Sequence, residues 1–232
     1  MFRFWSKIIQ RLFHKEQPKR VVVIGAPLEE GAVQLLSYCE NMDSQLFIVD
    51  PLAVFQADEE MKRNHPYLHL IQDNSLTALP RIAIFDAVLI DGDHNWYTVY
   101  NELQYIERMA EKNGKFPLVF VHDIGWPYGR RDVYLNPETI PAEYRHPFAP
   151  KGIVYGQSKL ADHGGFAQGS CHAVYENGIR NGVLTAVEDF LNEAKIPLSF
   201  HQLKSNNGLG IITEADRDND TYIEMIIQQS GL

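Results

Sequence analysis

The apolar positions of this chain fall into two rhythms. Short continuous apolar runs bounded by turn residues predict buried strands at 21–24, 46–49, 67–71, 87–90 and 118–121. Between them, 3.6-residue spacing predicts helices at 32–40, 53–63 and 95–112, with a single helical turn at 76–79. On the helix at 95–112, Val99, Leu103, Ile106 and Ala110 share one face, and Asn113-Gly114 closes it. Strands alternating with helices predict a largely parallel sheet. From 124 to 180 the rhythm stops. The stretch is rich in Pro, Gly, Tyr and His, and its aromatic and Arg content is unlike disorder. Its length predicts an ordered substrate lid, with an ordinary structural excursion as the alternative. A helix resumes at 183–194, with Leu184, Val187, Phe190 and Leu191 on one face. Runs at 198–203 and 209–213 then flank Lys-Ser-Asn-Asn-Gly, a strong hairpin signal. A closing helix is expected around 222–227.

The first 17 residues form a separate pattern. Phe4, Trp5, Ile8, Ile9 and Leu12 recur at helical spacing, with Arg3, Lys7 and Arg11 on the other face, and Pro18 ends the segment. Such a basic amphipathic helix suits peripheral contact with an anionic membrane face. The alternative is docking on the domain, or on a second copy in a homo-oligomer. Charges interrupt its apolar residues and no small-residue cleavage site follows, which argues against a secretory signal.

The 232-residue chain carries a net charge of −9, although residues 1–20 hold six cations against Glu16. The remainder is therefore strongly acidic, which disfavours nucleic acid as a general partner. The two cysteines, Cys39 and Cys171, make no CxxC pair. Neither a disulfide framework nor a zinc–thiolate site is expected, and a reducing, cytoplasmic setting is the default.

Candidate chemistry lies where strands end. The run 87–90 stops at Asp91-Gly92-Asp93-His94, and 118–121 stops at His122-Asp123. Ligands of open α/β sheets bind at the carboxyl edge of the strands. Two carboxylates with neighbouring histidines suit Mg²⁺ or Mn²⁺, and a histidine can also serve as a base near neutral pH. Asp93 reads better as a cap for the following helix. The first strand runs into Gly25-Ala26 and continues to Gly31, while the second ends at Asp50. That arrangement suits a nucleoside whose ribose hydroxyls bind the acid. Asp73 and Asn74, after the third strand, would border the base, or else cap a short helix.

Taken together, Val-Val-Ile-Gly25-Ala-Pro…Gly31, Ile-Val-Asp50, Gln-Asp73-Asn-Ser75 and Leu-Ile-Asp91-Gly-Asp-His94 resemble the class I S-adenosylmethionine-dependent methyltransferases, in particular a small O-methyltransferase-like group with an IDGDH strand end. His122-Asp123-Ile-Gly-Trp126-Pro-Tyr-Gly-Arg130-Arg131-Asp132 and Arg180-Asn-Gly-Val-Leu-Thr-Ala-Val-Glu-Asp are similar to a bacterial subgroup. The resemblance spans about residues 18–214. It implies a Rossmann-like doubly wound sheet of seven strands, mostly parallel, with an antiparallel C-terminal hairpin. It implies S-adenosylmethionine held at Gly25 and Ala26, at Asp50 through the ribose, at Asp73 and Asn74 through the adenine, and beside Asp91. It further implies a metal on Asp91, His122 and Asp123, and His94 as the base. The expected activity is O-methylation of a polar small-molecule or sugar-containing acceptor, gripped by Arg130, Arg131 and the lid aromatics. One departure is Val23, where the family carries an acid that contacts the cofactor's amino group. Two other readings are an NAD-dependent oxidoreductase, which the missing GxGxxG disfavours, and a catalytically silent cofactor-binding protein.

Overall fold

A computed structural model of the chain describes residues 1–25, 29–52 and 65–232. Ala26 and the helix expected at 53–63 lie outside the described residues. The described strands of the main sheet are β1 (Arg20–Ile24), β2 (Gln45–Val49), β3 (Leu68–Ile71), β4 (Ala87–Ile90), β5 (Leu118–His122), β9 (Leu198–Leu203) and β10 (Leu209–Glu214). They run in the order β3-β2-β1-β4-β5-β10-β9. The first five are parallel, and β10 is antiparallel to both β5 and β9. The expected Rossmann-like sheet and its terminal hairpin are both present.

Strand side chains alternate between two cores. Val22, Ile24, Val88, Ile90, Val119 and Val121 face α3 (Ser75–Ile82), α4 (Trp96–Asn113) and α5 (Val183–Glu193). Val21, Val23, Leu46, Ile48, Leu89 and Phe120 face α2 (Glu29–Met42) and α6 (Arg217–Ser230) on the other side. The helix boundaries follow local chemistry. Asn95 caps α4 by accepting from Thr98 N at 2.9 Å, and Gly114 ends it in the left-handed region. Asp93, expected to be that cap, instead accepts from the Thr98 hydroxyl at 3.3 Å.

The N-terminal segment belongs to this second core. It is helical from Phe2 to Glu16, as a 3₁₀ turn, a π-helical turn (Trp5–Ile9) and α1 (Gln10–Glu16). Phe4, Trp5, Ile8, Ile9, Leu12 and Phe13 are all buried there. The apolar face that would enter a membrane is therefore spent inside the protein. Part of the basic face is engaged as well: Lys15 bonds Asn219 and lies over the Tyr222 ring, and Arg11 bonds Gln229. Among the described residues, no helix is long and apolar enough to cross a membrane.

Residues 124–180 form an ordered cover carrying a second small sheet. Its strands β6 (Val133–Tyr134) and β7 (Phe148–Ala149) flank the central β8 (Cys171–Ala173). Arg131 and Asp132 hold this cover in place. Arg131 is fully buried and donates to the carbonyls of Ala173 and Ser158. The Asp132 carboxylate accepts from Trp96 N, Gly182 N and the Tyr134 hydroxyl at 2.7, 2.7 and 2.9 Å, which ties the cover to the starts of α4 and α5.

Because the N-terminal segment is core, Ile8→Ala should cost about 2–5 kcal/mol of unfolding free energy in urea denaturation. A loss below about 0.5 kcal/mol, the range of ordinary surface substitutions, would show a segment that is only loosely docked.

Candidate active site

The strand register builds the site. Ile24 pairs with Ile90, and Ile90 with Val121, so Gly25, Asp91 and His122 emerge side by side from β1, β4 and β5. Val49 pairs with Ile24, which puts Asp50 next along the same edge. At Gly25 the backbone φ is +92°, and an added Cβ would stand 2.2 Å from the Asp91 carbonyl oxygen. Only glycine allows β1 and β4 to approach so closely there. Gly31 has a different role from the one its spacing suggested: it lies within α2, and the Phe2 ring packs where its side chain would be. Val23 points into the second core and leaves no acid at that position.

Asp91, His94, His122 and Asp123 converge, with one potential ligand atom from each lying within 4.8 Å of all the others. His122 Nδ1 is 2.8 Å from Asp91 Oδ1 and 3.1 Å from Asp123 Oδ2. His94 Nε2 is 2.8 Å from Asp123 Oδ2 and 3.7 Å from Asp91 Oδ1. Asp123 adopts a left-handed backbone, φ +59°, immediately after β5. Its amide is held by the Gly208 carbonyl at the turn of the terminal hairpin. This bend brings its carboxylate to the cluster.

The electrostatics follow from burial and charge. Burial alone would raise both carboxyls, but the close approach of the His122 and His94 rings outweighs it and holds Asp91 and Asp123 well below the usual carboxylate range. Burial opposes charge on the imidazoles. The two carboxylates outweigh it, pushing His94 up to about 10 and His122 up to about 9. The two carboxylates thus favour the protonated form of both rings. His94, expected as the base, thus lies between the two carboxylates, in reach of Asp91, His122 and Asp123.

Three features of the cluster fit a metal ion. First, His94 Nε2 and Asp123 Oδ1 are buried with no hydrogen-bond partner, despite the 2.8 Å approach of His94 Nε2 to the other Asp123 oxygen. Second, His122 Nε2 lies 3.2 Å from the Asn206 carbonyl, so in the neutral ring the Nε2 proton is donated there and the Nδ1 lone pair faces the carboxylates. Third, the spread of the four ligand atoms matches donors about 2.0–2.4 Å from one centre. Two imidazoles with two carboxylates suit Mn²⁺ or a later transition metal better than Mg²⁺.

The other predicted residues are placed as follows. Asp50 follows β2, and its carboxylate accepts from Leu52 N at 2.7 Å. Asp73 pairs with Arg81 at 2.6 Å. Asn74 caps α3 through Thr77. Arg130 and Arg131 are not available to grip an acceptor, since Arg130 makes a two-pronged pair with Glu188 and Arg131 is buried under carbonyls, whereas the exposed Arg180 lies over the Trp96 and Tyr144 rings. The lid instead presents aromatic rings: Trp126 packs against Tyr155 and Phe166, and Tyr128 is stacked on both His94 and His172. Sequence reasoning missed the Tyr128 sandwich and the buried Glu102, because aromatic loop residues and a single acid on an amphipathic helix carry no periodic signal.

No family model and no curated protein matches this sequence. Two solved structures similar in fold are methyltransferases. One is the SAH-bound methyltransferase PaMTH1 of Podospora anserina, at 15% identity and TM-score 0.50, covering 89% of this chain and 76% of that one. The other is the O-methyltransferase TomG of Streptomyces achromogenes, in complex with SAM, at 13% identity and TM-score 0.49, covering 90% and 79%. At such identity the likeness to PaMTH1 carries the fold.

Glu102 lies on α4, fully buried, with neither carboxylate oxygen hydrogen-bonded, and burial pushes its pKa up to about 8. A folded-state pKa above the ordinary 4.5 means that its contribution to stability is complete below pH 4.5 and is lost as pH rises through 8. Glu102→Gln should therefore melt progressively higher than wild type as pH is raised from 5 to 9. A melting difference that stays constant across that range would refute the assignment.

Proposed function

We propose that this chain is an S-adenosylmethionine-dependent O-methyltransferase assisted by a divalent metal. The observation that carries the reading is the alignment of Gly25, Asp50, Asp91 and His122 along one carboxyl edge, beside a four-residue cluster with a metal-ligand donor set. Bound donor would supply a methyl group already activated on a sulfonium, and a bound divalent ion would acidify an acceptor hydroxyl.

The remaining work belongs to the chain. The turn at Gly25 lets the backbone close on the donor's methionyl part, and Asp50 receives the ribose hydroxyls. The loop at Asp73 and Asn74 borders the adenine, with the Asn74 side chain given to its helix cap. Asp91, His94, His122 and Asp123 would hold the ion and so orient the acceptor oxygen toward the methyl group. Methyl transfer depends chiefly on in-line alignment, and a site fixed by two strand ends and a left-handed bend is suited to hold it. The cover excludes water, and the Trp126, Tyr155 and Phe166 rings suit stacking against a small polar ring or a sugar.

Calorimetric titration with S-adenosylhomocysteine, NAD and Mn²⁺ tests the reading. The homocysteine product and Mn²⁺ should bind, and binding of NAD alone would overturn the proposal. Asp50→Ala should weaken S-adenosylhomocysteine about 10- to 100-fold, because hydrogen bonds to a charged group are worth about 1.5–3 kcal/mol. Unchanged affinity would remove Asp50 from the site. Asp123→Ala should abolish the rise in melting temperature that Mn²⁺ gives the wild-type chain. If Mn²⁺ and chelators leave wild-type melting unchanged, the metal assignment fails.

A further inference from the structure

We infer that residues 1–4 complete the ligand cluster by holding Asp91 and His122 in their ligating orientations, an inference that rests on the metal reading above. Three contacts in four residues reach three different elements of the site edge. The backbone nitrogen of Met1 lies 3.2 Å from Asp91 Oδ2, while the other carboxylate oxygen, Oδ1, is the one that faces His122 and His94. The Phe4 ring meets His122 edge-on, with centroids 6.1 Å apart and planes at 70°. The Phe2 ring fills the space over Gly31, where an added Cβ would stand 2.3 Å from it.

Each contact removes a specific freedom. A donor on Oδ2 fixes the rotation of the Asp91 carboxylate, so that Oδ1 stays turned toward the cluster. The Phe4 ring and the Asn206 carbonyl together fix the His122 plane. Metal ligands depend on such outer partners for their orientation. The segment is rigid enough to supply them, because Phe4, Trp5, Ile8 and Ile9 are anchored in the core below the sheet. Strand ends β4 and β5 bring the ligands together, and the N-terminal turn holds two of them at their working angles. This also explains Gly31, a buried helical glycine whose missing side chain makes room for Phe2.

The test measures Mn²⁺ affinity by electron paramagnetic resonance of the free ion, alongside metal-free thermal melting. Phe4→Ala should weaken Mn²⁺ binding about 10- to 100-fold, the usual effect of losing an outer partner. Ile106→Ala, equally buried but on α4 in the other core, should lower the melting temperature yet leave Mn²⁺ affinity unchanged. Gly31→Ala guards against a merely unfolded Phe4 variant. Its methyl group must displace the Phe2 ring, so melting should fall, but Mn²⁺ affinity should weaken as well, unlike that of the core control. Wild-type binding with unchanged or tighter affinity in Phe4→Ala and Gly31→Ala overturns this inference alone. A wild-type chain that binds no Mn²⁺ overturns the metal reading and this inference together.

Discussion

Two aspartates at the ends of adjacent parallel strands are the constraint around which this molecule is arranged. Neighbouring strands lie about 4.8 Å apart, so register alone forces Asp91 and the residues after β5 together. Buried like charges at that distance are unfavourable unless cations meet them. His94 and His122 meet them, giving a ring in which each imidazole faces both carboxylates. The same four groups, once the rings give up their protons, form a ligand set.

The surroundings serve that arrangement from three directions. The terminal hairpin contributes backbone carbonyls, from Asn206 to the His122 ring and from Gly208 to the Asp123 amide. The cover places Tyr128 on His94 and is itself pinned by Asp132, which draws on the amides at the starts of two helices. The N-terminal turn closes the third side through Met1 and Phe4. Burying Arg131 is costly in principle, and its nearest carboxylate, Glu176, is 3.9 Å away. Its guanidinium is instead met by carbonyls of the loops that it organises, so the cost is offset within the cover.

Much of this was legible in the sequence. The apolar runs mark the strands because buried parallel strands need both faces apolar. Asn-Gly marked the hairpin, and Asn113-Gly114 marked the end of α4. Asp91, His122 and Asp123 stood out because polar residues that abruptly end a buried run must sit at the sheet edge. Other features were not legible. Helical spacing at Phe4, Trp5, Ile8, Ile9 and Leu12 says that one face is buried but not in what, and lipid, a partner and the chain's own core all satisfy it equally. An Arg-Arg pair in a loop reads as a grip for anions until Glu188, distant in sequence, is seen to hold one of them.

By itself, then, the sequence determined the order of strands and helices and which residues reach the carboxyl edge, since local periodicity and turn chemistry decide those. Tertiary structure alone decided what those residues face. It placed His94 between two carboxylates, in reach of the other three residues of the cluster. It drew the N-terminal segment into the core and onto the cluster, and it tied Arg130 and Arg131 into internal contacts. The physical reason is common to all three: charge state, side-chain orientation and occupancy depend on partners far away in the chain, and no local pattern encodes them.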